Sequence, residues 1–256
     1  MQTKNILKTT CLCAGLLASS FATTQAQTIT NNDSGFALNL GTEWFGGTVP
    51  GAANVAVWNN LDQTNTIETL GANLSWAGIQ ILDPGTNITI SAGNTLTLGA
   101  SGIDMSLATN GLTLACPIVL GANQTWNVTN GLTLNVSGAP GVSTATSLTK
   151  AGNGILNFSS TADGTYTGNV SVNGGVLIPG GANVNGNSAI GTGVITNNNG
   201  GTIRSANKIV GNALVFNGTS VIDANLSSFA LDGDWSGSGT VIITNGISAK
   251  VLKLNF

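Results

Sequence analysis

Asp232 and Asp234, separated only by Gly233, are the tightest pair of acids in the chain and the first place to look for chemistry. Alternating carboxylates of this kind open calcium loops, but calcium takes about six to eight oxygens and no further acid follows in this stretch. The pair therefore reads as a solvated turn before Trp235, with a metal site as the rival reading. Glycoside hydrolysis needs two carboxylates facing one cleft. The ten acids, among them Asp33, Glu43, Asp62 and Glu68, are spread along the whole sequence, so some pair arises whatever the function. There is no histidine, which removes Ser-His-Asp and Cys-His triads and the usual zinc sites. A polysaccharide lyase would want a basic residue beside an acidic calcium cluster, and the few cations show no such association. These residues assign no catalytic, cofactor-binding or metal-binding position, and no cofactor is expected.

The aromatic residues are the other chemical resource. Trp44, Phe45, Trp58, Trp76, Trp126 and Trp235 could stack on sugar rings if exposed, or fill core layers if buried. Trp76 and Trp126 close two near-identical heptads, Leu70-Gly-Ala-Asn-Leu-Ser-Trp76 and Leu120-Gly-Ala-Asn-Gln-Thr-Trp126. A shared place in a repeat suits stacked core positions. For Trp44 and Trp58 the choice between core and exposure stays open. Cys116, the one cysteine beyond residue 26, lies between apolar neighbours and reads as a small core residue with no internal disulfide partner.

The elements that must position these side chains are strands. Charged residues make up 7% and glycine contributes 36 of 256 residues, against roughly 25% charge and 7% glycine in an ordinary domain. The good helix formers Lys, Glu and Arg are scarce, whereas Thr, Val and Ile favour strands and Gly, Asn and Ser favour turns. Apolar residues at 41% suffice for a core. Short alternating runs such as Ile88-Thr-Ile90, Leu96-Thr-Leu98, Leu132-Thr-Leu-Asn-Val136 and Val170-Ser-Val172 put aliphatic side chains on one face and Thr, Ser or Asn on the other. Such strands are too short to stand alone and must stack.

Asn-Gly recurs at Asn110, Asn130, Asn153, Asn173, Asn199, Asn217 and Asn245. The mean step is roughly 22 residues, the scale of one repeat unit. The extra copy at Asn185 reads as a loop insertion. Asn-Gly between alternating runs is a strong hairpin signal, which would give an antiparallel β-sandwich or barrel. A parallel β-helix also needs a tight corner in every coil, and it alone accounts for the recurring step and the distant heptads. The expected fold is all-β, a right-handed parallel β-helix (β-solenoid), with the antiparallel β-sandwich as its alternative. About 22 residues per coil makes roughly ten turns of the 230 residues beyond position 26, with Leu112 stacked near Leu132. The organisation expected is a signal peptide at 1–26, an N-terminal opener or cap at 27–69 turning at Pro50-Gly51, and a β-repeat solenoid at 70–256.

Lys4 and Lys8 precede the apolar run Cys11 to Phe21, and Thr24-Gln25-Ala26 supplies small residues for cleavage. That order predicts export with Gln27 as the new N-terminus. The apolar run is too short to span a bilayer as a helix, and no transmembrane segment is expected in the mature chain. Loss of Lys4 and Lys8 takes the net charge of −3 to −5. Five cations, Lys150, Arg204, Lys208, Lys250 and Lys253, are too sparse to track phosphates, so nucleic acid is not an expected partner.

The stretch 148–177 reads LTKAGNGILNFSSTADGTYTGNVSVNGGVL. It resembles the autotransporter-associated β-strand repeat at Leu148, Thr149, Lys150, Gly152, Gly154, Leu156, Tyr166, Thr167, Gly168, Val172, Gly175 and Leu177. Ile155 departs from the pattern, where Thr is commoner. Trp235-Ser-Gly-Ser-Gly-Thr-Val241 resembles a degenerate further unit, and Trp44 to Trp58 resembles the opener that precedes such repeats. The resemblance implies a secreted or cell-surface bacterial protein with a β-helical passenger region, and it supplies no catalytic residues. The expected role is structural or adhesive, without catalytic activity. An extracellular polysaccharide or another cell-surface molecule is the expected partner class, and either self-association through the C-terminal edge, residues 247–256, or a continuation of the chain beyond Phe256 is expected. The alternatives are a carbohydrate-binding or carbohydrate-active β-helix, and a fragment of a longer passenger.

Overall fold

In every coil the chain alternates short strands with corners, and each strand finds its hydrogen-bond partner one coil away. The computed structural model describes residues 25–138, 140–141, 147–162, 164–180, 188–204, 209–225, 230–244 and 249–255. Among these residues there is no α-helix, only two short 3₁₀ turns at Gly41–Glu43 and Phe45–Gly47. No helix among them is long and apolar enough to cross a membrane. Every ladder between strands is parallel until the last, which makes the molecule a parallel β-solenoid of about eight turns. The antiparallel sandwich is excluded. Gln124–Val128 and Thr133–Val136, on either side of Asn130-Gly131, pair with neighbouring coils and not with each other.

Three faces share one core. Face A carries an inward column that runs Ala56, Ile79, Ile103, Trp126, Lys150, Val172, Asn197 and Phe216 from coil to coil. Face B carries Ile88, Leu112, Leu134, Leu156, Leu177, Ile203, Ile222 and Ile243. Face C is shorter and includes Trp76, Leu98 and Leu120. Period-2 alternation explains the outcome: the Leu, Ile and Val positions of each short run are buried, and the intervening Thr, Ser and Asn point out. Each fully buried aliphatic side chain removes enough apolar surface to contribute about 1.5–3 kcal/mol, before the cost of ordering the chain.

Asparagine does more than turn the chain. The side-chain oxygens of Asn73, Asn87, Asn123, Asn169 and Asn199 accept the backbone N–H of Thr95, Gly111, Ser147, Val194 and Thr219, each one coil on, at 2.7–3.1 Å. At the corner between faces A and B, Asn217 donates to Asn198 and Asn198 to Asn173, at 3.0 and 2.7 Å. These bonds occupy corner groups that strand pairing cannot reach, so the corners are tied as well as the faces.

Two expectations need correcting. Leu112 pairs with Leu134 and not with Leu132, because this coil is two residues longer than the distance between the matching Asn-Gly-Leu-Thr-Leu segments. Leu132 sits at the corner, only partly buried. The turns number about eight and not ten. Residues 31–53 form 3₁₀ turns and loops over the first coil, and the final strand doubles back.

That final strand, Ala249–Asn255, runs antiparallel to Ser238–Thr244 and covers the edge of the last coil in continuous register. An uncovered edge is a template for another chain. Deleting residues 249–255 is expected to lower the melting temperature and produce oligomers in sedimentation velocity. A truncated chain that stays monomeric and equally stable would show that the strand does not protect the edge.

Candidate functional site

The repeat motif folds into a corner clamp. Ser147–Ala151 lies on face A and Ile155–Phe158 on face B, so residues 152–154 form the corner between them. Gly152 has a φ of 73°, and a Cβ there would collide with the carbonyl oxygen of Val128 in the coil before. Leu148 points inward, between Gln124 and Val170. Thr149 points outward in the row Thr125, Thr149, Ser171, Thr196. Tyr166 is buried, and its ring lies so close to Gly168 that any side chain there would strike the phenol oxygen. Burial pushes the Tyr166 hydroxyl up to about 12. Thr167 between them faces solvent. Gly154 and Gly175 pack against corner backbone of the adjacent coils.

Lys150 is the unexpected member. It occupies the inward column between Trp126 and Val172 and is completely buried. Its ammonium donates to the carbonyl oxygens of Ala151 and Gly152, both at 2.7 Å, and of Gly174 in the next coil at 3.1 Å. Its three donors are thereby used, and its aliphatic stem fills a core layer. Burial pushes its pKa down to about 8, while the three acceptors favour the charged form. Asn197, two coils on in the same column, does the same work with an amide, donating to Gly201 and Val221 carbonyls at 3.2 and 3.3 Å.

The aromatics are mostly core. Trp44, Trp58, Trp76 and Trp126 are all buried, which decides the choice left open for Trp44 and Trp58 in favour of core. Trp44, Trp58 and Trp76 meet at centroid distances of 5.7–5.9 Å and plug the N-terminal end of the core. Trp76 lies on face C and Trp126 on face A, so the repeated heptad places its tryptophan inward on two different faces and the two rings do not stack. Trp126 stacks on Phe158 instead, and Trp235 is partly buried against Phe216. Phe45 remains as an exposed ring.

Sequence reasoning overlooked an acidic group beside the tryptophan plug. Glu43, Asp62 and Glu68 are only 0, 1 and 3% exposed. Glu43 accepts bonds from the Ser34 hydroxyl and the Phe36 N–H, at 2.8 and 2.6 Å, and Asp62 from the Asn59 N–H at 2.8 Å. One oxygen of Glu43 and one of Asp62 have no partner among the described residues. Glu68 accepts from the Trp58 indole at 2.8 Å and the Asn31 amide at 3.3 Å. Desolvation drives Glu68 up to about 8 and Asp62 to about 7, and the neighbouring acids add repulsion. For Asp33, desolvation acts upward, but bonds from Asn65, Thr64 and Gln63 outweigh it and hold the carboxyl low. The described cations lie on other elements, Arg204 being paired with Asp223 at 2.8 Å. The acids at 43, 62 and 68 are unevenly spaced and share no repeat position, so no periodic signal could have found them.

Asp232-Gly233-Asp234 makes the exposed turn into Trp235–Thr244. No group of three or more His, Cys, Asp or Glu among the described residues is placed to hold a metal ion. Cys116 is buried, and burial pushes its thiol up to about 12, far from a reactive thiolate. No protein-family model, no curated protein and no solved structure matches the chain.

The buried charges should be visible in unfolding experiments. Lys150→Met keeps the stem but strands three carbonyls, and is expected to cost about 1–3 kcal/mol, read as a lower midpoint in urea unfolding. An unchanged midpoint would mean that water replaces the ammonium. For the acids, free Glu ionises near 4.5. Between that pH and about 8, the unfolded chain releases a proton that folded Glu68 retains, so stability falls as pH rises through this window. The melting temperature is expected to be lower at pH 9 than at pH 5, and Glu68→Gln should flatten the slope. A Glu68→Gln chain with the full parental slope would assign the effect elsewhere.

Proposed function

We propose that the chain is a secreted or surface-displayed bacterial β-solenoid with a structural or adhesive role and no catalytic activity of its own. The observation that carries this reading is the outer surface of face A. From Thr125 to Thr196 its outward rows hold Thr, Ser, Asn and Ala without a charge, while the inward rows are filled by packed side chains. Such a surface offers hydroxyls and amides along a rigid rod, which suits a spacer or a contact surface. The acids with raised pKa values would suit a general acid, but they are buried behind the N-terminal cap. That favours adhesion over the carbohydrate-active alternative.

Export is supported by the basic, apolar and small-residue order of positions 1–26, of which residues 1–24 lie outside those described. The first described strand begins at Gln27, immediately after the proposed cleavage site, so processing there leaves every described strand intact. The resemblance of residues 148–177 to the autotransporter-associated repeat supports the same compartment. N-terminal sequencing of material recovered outside producing bacteria is expected to begin at Gln27. Protein that stays inside the cell and retains Met1 would overturn the export reading.

A further inference from the structure

Phe45 breaks the inward rule that the tryptophans obey. Its ring is 58% exposed, although the preceding Trp44 is fully buried. Trp44 is fixed by its indole bond to the Leu38 carbonyl at 2.8 Å and by edge contacts with Trp58 and Trp76. Gly46 and Gly47, with φ of 79° and 72°, turn the chain sharply after the ring. The Gly47 N–H closes that turn on the Trp44 carbonyl at 2.9 Å. Phe45 is thus held outward by a rigid anchor on one side and a tight turn on the other.

Phe36 is also exposed, at 55%, and a single exposed ring needs no explanation. What sets Phe45 apart is the cleft it lines, about 440 Å³, together with Gln27, Thr28, Thr30, Thr48 and Asn54. That volume lies within the usual range for small-ligand sites, about 300–1,000 Å³. None of the side chains that line it carries a charge. The side chains of Gln27, Thr28 and Thr48 make no hydrogen bond to other described residues.

We propose that this cleft binds a neutral saccharide, with a sugar ring stacked on Phe45 and its hydroxyls bonded to Gln27, Thr28 and Thr48. A sugar ring presents an apolar C–H face edged by hydroxyls. An exposed aromatic beside uncharged hydroxyl and amide groups matches both parts. The preset turn reduces the ordering cost of binding. This inference deepens the adhesive reading and rests on it for the biological setting, but binding itself requires no export, so the two fail separately.

The test is calorimetric titration of the purified full chain with cellohexaose, mannohexaose and laminarihexaose, with an oligogalacturonate as acidic control. At least one neutral hexasaccharide is expected to bind. Phe45→Ala should weaken that binding roughly tenfold, Phe45→Trp should retain it, and Phe36→Ala should leave it unchanged. Circular dichroism matching the parent would confirm that each variant is folded, as the exposure of both rings implies. The proposal is overturned if none of the three neutral hexasaccharides binds at millimolar concentration. Equal affinity in Phe45→Ala, or equal binding of the acidic control, would overturn it too.

Discussion

A coil of about 22 residues cannot bury its own inward side chains; it can only bury them against the coils above and below. Everything else in this molecule depends on that constraint. Parallel pairing brings like positions into columns, so each inward position must be filled by something that packs on its neighbours in adjacent coils. Face B meets the requirement with aliphatic residues throughout. Face A meets it less simply, with Trp126, Lys150 and Asn197 in the same column as Ile103 and Val172.

The two polar members of that column show how the corners are satisfied. A coil that turns sharply between two faces points carbonyl groups inward that no strand can pair. In a low-dielectric interior an unpaired carbonyl is costly. Lys150 and Asn197 reach those oxygens from inside, while the corner asparagines act on the solvent side. The low overall charge of the chain is consistent with this design, because amides and hydroxyls tie coil to coil without repulsion between stacked copies of one charge.

The N-terminal end is governed by a different balance. Three tryptophans close the core there, and the loops that hold them also bury Glu43, Asp62 and Glu68. Hydrogen bonds to the carboxylates favour ionisation, whereas desolvation and mutual repulsion oppose it, and for Asp62 and Glu68 the second pair of effects wins. On the outside of the same plug sits Phe45, held out over an uncharged cleft. The N-terminal end therefore carries most of the unusual chemistry among the described residues.

Strand content, coil length and inward positions are legible without coordinates. They depend on local alternation and on the spacing of Asn-Gly, whose recurring step of about 22 residues marks a repeat. The segment 148–177 also stands out as one well-formed unit. The role of Lys150 as an internal clamp does not, since a lysine in an alternating run ordinarily faces water. Which face each strand joins is settled only by folding. Two heptads of nearly the same sequence put Trp76 on face C and Trp126 on face A, and two matching pentapeptides stack out of register by two residues. A strand's inward side is set by its neighbours in sequence, whereas its partner is set by the cumulative length of the corners between coils. The acidic group at the cap and the exposure of Phe45 were hidden for the same reason: residues far apart in the chain meet only after the first coil has closed.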